Sequence, residues 1–301
     1  LANALPPTSQ ATKLAGGART GQHWVATLRN HAHPTLGRIS VAEINTEHVL
    51  AVLKPLWVTK PETATQVRGR IEQVLDYARV LGHCEGENPA RWRGHLDHLL
   101  PARARVAPVK HHRALHYREV PAFMDILRQQ HNTAAKCLEF AILCACRSGE
   151  AVGADWSEIN WETRTWTIPA ARTKQGREHR VSLSEPAISL LRSAPREGDF
   201  VFSGRYSGPQ SHATLRALLK RMGSKTAVHG FRASFSTWAR ECTTFPRELV
   251  EAALGHVVGD VVERSYQRGD ALERRRELMA AWGNYCTSSG AEVVQLRRAS
   301  N

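Results

Sequence analysis

In the stretch WETRTWTIPAARTKQGREHRVSLS, residues 161–184, Trp166 and Ile168, then Val181 and Leu183, alternate with polar residues on either side of a glycine-containing turn. A period of two marks paired strands. Elsewhere the apolar residues return at helical spacing, and this mixture restricts the chain to a mainly α fold holding one small antiparallel β-sheet. INTEHVLAVLKPLW spaces Val49, Leu50 and Leu53 at helical intervals behind Asn45 or Thr46 as cap, with a stop expected at Pro55. ATQVRGRIEQVLDYARVLG sets Val67, Ile71, Val74, Leu75 and Ala78 on one stripe and ends at Gly82, leaving Arg68, Arg70 and Arg79 off it. REVPAFMDILRQQ and AAKCLEFAILCAC read as two further helices.

A length of 301 residues suits about two domains. The division is expected in LLPARARVAPVKHH, which sets Pro101 and Pro108 among alternating basic residues. The organisation expected is a flexible lead-in at 1–20, a helical domain at 21–100, a basic linker at 101–114, a second domain carrying the sheet at 115–285, and a tail at 286–301. The beginning has no periodicity and reads as a flexible lead-in or a cut linker.

Charge is the most informative total. Lys and Arg number 41 against 28 Asp and Glu, a net charge of +13. Residues 1–110 carry 14 basic and 8 acidic side chains and the remainder 27 and 20, so the excess is shared and does not sit in a tail. Two basic lobes suit a grip on one polyanion, although solubility alone can produce the same balance. Arg68 and Arg70 in the first lobe, and Arg103, Arg105 and Lys110 in the linker, are the candidates for phosphate contact. A solvated tether explains the linker equally well.

Six cysteines at irregular spacing, with no secretory segment and no CxxC pair, point to a reducing cytosol and against a disulfide framework or a structural zinc. The longest apolar run, CLEFAILCAC, is too short to span a bilayer and reads as a core helix.

Four short segments could do chemistry. In HGFRASFSTWARE, Phe231, Phe235 and Trp238 form a core stripe, while His229 and Arg232 share another face at the start of the helix. Free N–H groups there favour an anion, and the pair suits a phosphate. Alone, it is better explained as a capping histidine and a surface arginine. In CRSGEAVGADWSEI, Glu150 can fix the guanidinium of Arg147 for bidentate contact, or the two form an ordinary surface pair. Lys174, near the turn between the strands, can serve as a movable proton donor, or be solvated. In PRELVEAALGHVVGDVVERSYQRGD, Gly255 stops one helix and His256 follows it. Asp260 and Glu263 then open a short helix carrying Tyr266, oddly placed for a core aromatic but able to pack on Val262.

Taken in order, Arg147, Lys174, His229 with Arg232, Gly255 with His256, and Tyr266 resemble the tyrosine recombinases, the phage-integrase family. HGFRASFSTWARE, ALGH and YQRGDALERRRELMAAW look most like integrases of satellite phages and genomic islands. KPETATQVRGRIEQVLDYAR and ENPARWRGHLDHLLP resemble the core-binding domain of that group. The resemblance implies a helical core-binding domain followed by a catalytic domain, and a site-specific recombinase acting through a 3′-phosphotyrosyl link, with no cofactor and no metal. It implies Tyr266 as nucleophile, Arg147 and Arg232 as phosphate clamps, Lys174 as proton donor to the departing 5′ oxygen, His229 and His256 in support, and Glu150 behind Arg147. The implied partners are double-stranded attachment sites, three further copies in a tetramer on DNA, and accessory directionality or bending proteins.

Two other activities share features with this reading: strand nicking and closing of the type IB topoisomerase kind, and DNA binding without exchange by an architectural factor or degenerate integrase. Three departures from the pattern stand out. CAC lacks the Thr-Gly turn of many relatives, Asp155 stands where a basic residue is expected, and almost nothing precedes Trp24 where relatives carry an arm-binding domain, which suggests a trimmed chain.

Overall fold

The computed structural model describes residues 18–106, 113–204, 208–256 and 271–288. The chain divides into two compact units, Leu1–Lys110 and His111–Asn301.

The first unit is helical: α1 (Ala18–His31), α2 (His33–Leu36), α3 (Thr46–Thr59), α4 (Pro61–Val80) and α5 (Arg103–Val106). Helix α1 begins six residues before Trp24, within the expected lead-in, and α5 lies within the expected linker. Asn45 caps α3 reciprocally, its side chain accepting from the His48 N–H at 3.0 Å while His48 Nδ1 accepts from the Asn45 N–H at 3.3 Å. The stop expected at Pro55 does not occur, and α3 continues to Thr59. An internal proline costs about 3 kcal/mol. The turn beyond it is kept because Trp57 is buried and donates its indole N–H to the Pro101 carbonyl at 2.9 Å. Helix α4 buries the stripe read from the sequence and ends at Val80, and Gly82 just beyond, with a φ of 74°, turns the chain away in the left-handed region.

The second unit contains α6 (Val120–Arg128), α7 (Thr133–Leu143), α8 (Ser148–Val152), β1 (Ile159–Asn160), β2 (Thr165–Ile168), β3 (His179–Ser182), α9 (Glu185–Ser193), α10 (His212–Arg221), α11 (Gly230–Cys242), α12 (Arg247–Ala253) and α13 (Leu272–Thr287). The sheet is antiparallel in the order β1-β2-β3, with Trp166 opposite Val181 and Ile168 opposite His179. Trp166, Phe140, Phe202, Phe235 and Trp282 are fully buried. Trp282 on α13 donates to the Ile142 carbonyl at 2.8 Å, which fixes α13 against α7. No helix among the described residues is long and apolar enough to cross a membrane.

Candidate active site

Helix α7 ends at Leu143 and the chain reverses through Cys144–Cys146, with Ala145 at φ 47°. An L-residue pays about 1–2 kcal/mol in that region. This is the CAC segment without its Thr-Gly turn, and the strained alanine has a use: its carbonyl accepts from Arg232 Nη1 at 2.7 Å.

Arg147 follows at the head of α8. One carboxylate, Glu150, holds both its backbone N–H, at 2.7 Å, and its Nη1, at 2.8 Å. The Glu150 side chain is 2% exposed and that of Arg147 18%, so this pair is a buried fixture and not the ordinary surface pair. Arg147 Nη2 donates to the Gly255 carbonyl at 3.2 Å.

Arg232 sits on the first turn of α11 and is buried. Besides Ala145 it donates through Nη2 to the Leu254 carbonyl, at 2.6 Å, and to His256 Nε2, at 3.1 Å. A guanidinium cannot accept, so this contact makes Nε2 the bare nitrogen of the imidazole. The His256 proton then lies on Nδ1, which donates to Glu251 at 2.6 Å, and Glu251 accepts in turn from Arg240 at 3.1 Å. Burial pushes the Glu251 carboxyl up, but the His256 and Arg240 contacts outweigh it and hold the group below its usual range. Burial first, and then the charge of Arg147, lowers Arg232 to about 10, leaving it charged at neutral pH. Its buried Nε has no partner among the described residues. The corner therefore brings the guanidinium groups of Arg147 and Arg232 together beside His256, with the Glu150 carboxylate on Arg147 and that of Glu251 on His256.

Gly255, with φ 61°, ends α12 as expected, and a Cβ there would fall 3.2 Å from His179 Nε2. His179 went unnoticed in the sequence although it stands two residues before Val181 on the inward face of β3. Burial, then the neighbouring Arg275 charge, takes its imidazole down to about 4, so it is neutral. Glu251 and Arg172, treated below, were also missed. Glu251 meets Arg240 and a histidine five residues away, and Arg172 meets two backbone carbonyls and the distant Glu158 carboxylate, which no spacing rule reports.

His229 is exposed at the N-cap of α11, where its side chain makes no capping bond to the helix. Lys174 is exposed in the connection between β2 and β3. Tyr266 and its surrounding helix, with Asp260 and Glu263, lie outside the described residues, as does Lys110. Tyr285, the other tyrosine near the end of the chain, donates its hydroxyl to the Tyr117 carbonyl at 3.1 Å and stacks on Trp282, and burial takes its phenol up to about 12. Asp155 caps the turn after it by accepting from the Ser157 N–H at 2.8 Å. In the first unit, Arg68 is engaged internally: it pairs with Glu72 at 2.7 Å, donates to the Ala90 carbonyl at 2.8 Å and lies over Trp92. Arg70 reaches the His23 carbonyl at 3.4 Å, Arg103 pairs with Glu62, and Arg105 is exposed.

Residues 9–95 match the phage integrase central domain and residues 113–272 the phage integrase family. The prophage integrase IntA of Escherichia coli K12 is 30% identical over 91% of this chain and 67% of its own length. The prophage integrase IntZ of the same strain is 31% identical over 93% of this chain and 75% of its own. Among solved structures, a lambda integrase (75–356) dimer bound to a COC′ core site superposes with a TM-score of 0.62 at 16% identity, covering 83% of this chain and 94% of that one. The Tn1549 transposon integrase with circular intermediate DNA gives 0.60 at 11% identity, covering 87% and 98%.

Proposed function

The chain belongs to the phage integrase family and is a site-specific recombinase of the tyrosine type; within that activity we propose a division of labour among its residues. Tyr266 attacks the scissile phosphorus, the bond to the 5′ oxygen breaks, and a 3′-phosphotyrosyl link forms beside a free 5′-hydroxyl. The phosphodiester is conserved in that link, so rejoining to a partner strand needs no external energy source. Arg147 and Arg232 hold the non-bridging oxygens and stabilise the charge that builds on them. Lys174 supplies the proton to the departing 5′ oxygen, and His229 assists proton transfer at the phenol. His256 lies against Arg232 and orients it, or hydrogen-bonds the phosphate once the anion arrives.

The observation that carries this reading is the convergence of Arg147, Arg232 and His256 from distant parts of the sequence into one corner. Duplex DNA as partner and assembly into multimers follow by likeness, since the similar lambda integrase structures hold a core site as a dimer and a Holliday junction as a tetramer. The test is incubation with a nicked suicide duplex. A protein–DNA adduct stable in detergent and indifferent to EDTA is expected, and Tyr266→Phe should abolish it while DNA binding persists. An adduct that survives in the Phe variant would place the nucleophile elsewhere.

A further inference from the structure

We infer that Arg172 is a positioning residue that fixes where Lys174 is presented, by tying the base of its loop to the helix that carries the phosphate clamp. Arg172 closes the short turn Ala170–Arg172 after β2. Its Nη1 donates to the carbonyl of Glu150, at 3.3 Å, and to that of Gly153, and its Nη2 to the Glu158 carboxylate. Glu158 is itself held, accepting from the Trp166 indole at 2.9 Å and from the Asp155 N–H at 3.3 Å. The guanidinium thus joins the C-terminal end of α8 to the sheet, turned toward protein and not toward a ligand.

Two further features tie this contact to Lys174. The 173–177 loop is closed at its neck by Thr173, whose hydroxyl accepts from the Arg177 N–H at 3.1 Å and donates to the Arg177 carbonyl at 2.7 Å. A closed neck carries the placement of Arg172 onward to the tip. Gly153 leaves room for the guanidinium: a Cβ there would come within 2.6 Å of Arg172 Nη1, although a φ of −104° suits any residue. The glycine is therefore a matter of space and not of backbone conformation. Since α8 also presents Glu150, which holds Arg147, one guanidinium sets the distance between the clamp and the lysine.

The inference rests on Lys174 being the proton donor, and a substrate whose 5′ bridging oxygen is replaced by sulfur separates the two claims. A thiolate departs without a proton, so a defect in proton delivery is relieved and a defect in folding or phosphate binding is not. In the full chain, Arg172→Ala should form adduct roughly ten- to a hundredfold slower on ordinary DNA, the scale of a misplaced catalytic group. The sulfur substrate should restore most of that loss. In the Lys174→Ala background the same change should cost nothing further, because the group it positions is gone. Gly153→Ala, which keeps the arginine but pushes it off α8, should behave alike with a smaller loss, and it carries the test if Arg172→Ala does not fold. Equal slowing of Arg172→Ala on both substrates, or a loss that multiplies that of Lys174→Ala, overturns the inference while leaving the proton donor intact. If Lys174→Ala itself gains nothing from sulfur, the proton-donor reading fails and this inference with it.

Discussion

The arginine corner and the loop between β2 and β3 hold their cations in opposite ways. Arg232 is buried, with backbone carbonyls of Ala145 and Leu254 on its guanidinium, and Arg147 is locked by a buried carboxylate. Lys174 is exposed on a loop closed at its neck by Thr173. A group that stabilises charge works best when it does not reorganise during the reaction, and burial with both terminal nitrogens of Arg232 hydrogen-bonded supplies that rigidity. A proton donor has to meet an atom that moves away as the bond breaks. On the division of labour proposed above, the clamp is thus a property of the packed core, and the proton delivery a property of a tether.

The largest expected effect breaks this comparison at its rigid end. Arg232→Lys keeps the charge but loses the fork that engages several acceptors, and adduct formation should fall about a thousandfold, with no relief from the sulfur-bridged substrate. Lys174→Ala should fall by roughly a hundredfold on ordinary DNA, the lower end of what general acid catalysis contributes, and be largely relieved by sulfur. Single-turnover adduct rates on both substrates decide the matter. Equal relief for both variants would mean that corner and tip share one role.

The corner was partly legible in the sequence because its cations sit beside punctuation: Arg147 after a helix end, Arg232 at a helix start, His256 after a glycine stop. Glu150 was readable for the same reason, being three residues from its partner. What holds the corner together was not readable. The carbonyls of Ala145, Leu254 and Gly255 carry no residue signature, and the left-handed alanine at 145 conflicts with local preference and is held there by the surrounding fold. Likewise Pro55 argued for a helix end, and the distant contact from Trp57 to Pro101 overruled it. Arg68 shows the same limit from the other side, since a residue off the apolar stripe of α4 looked available for phosphate and turned out to be engaged by Glu72 and Trp92.

A second, smaller effect sharpens the contrast by titrating the rigid end. Folded His179 protonates at about 4 against an ordinary 6.5, so between those pH values the unfolded chain binds a proton that the folded chain refuses. Stability from this residue is therefore present above pH 6.5 and is lost progressively as the pH falls toward 4. The full loss is on the order of 3 kcal/mol at most. Thermal unfolding of the wild type and of His179→Gln across this window should show a steeper decline in the wild type. Parallel curves would mean that burial and the Arg275 charge do not hold the imidazole neutral.

The smallest effect extends the distinction between committed and free cations to the first unit. A cation that neutralises a phosphate releases a counterion, and each such contact contributes roughly 0.9 to the slope of log K against log salt. Arg105 is exposed, so Arg105→Ala should lower the measured slope by about 1 with little change in thermal stability. Arg68 already has its partners within the unit, so Arg68→Ala should leave the slope alone and cost about 1–2 kcal/mol of stability through the lost Glu72 pair, Ala90 hydrogen bond and Trp92 contact. Filter binding of one duplex at several salt concentrations, with unfolding curves for each variant, separates the two. Were the outcomes exchanged, Arg68 would have to leave Glu72 for a phosphate on binding, and engagement within the free protein would no longer distinguish structural arginines from DNA-contacting ones.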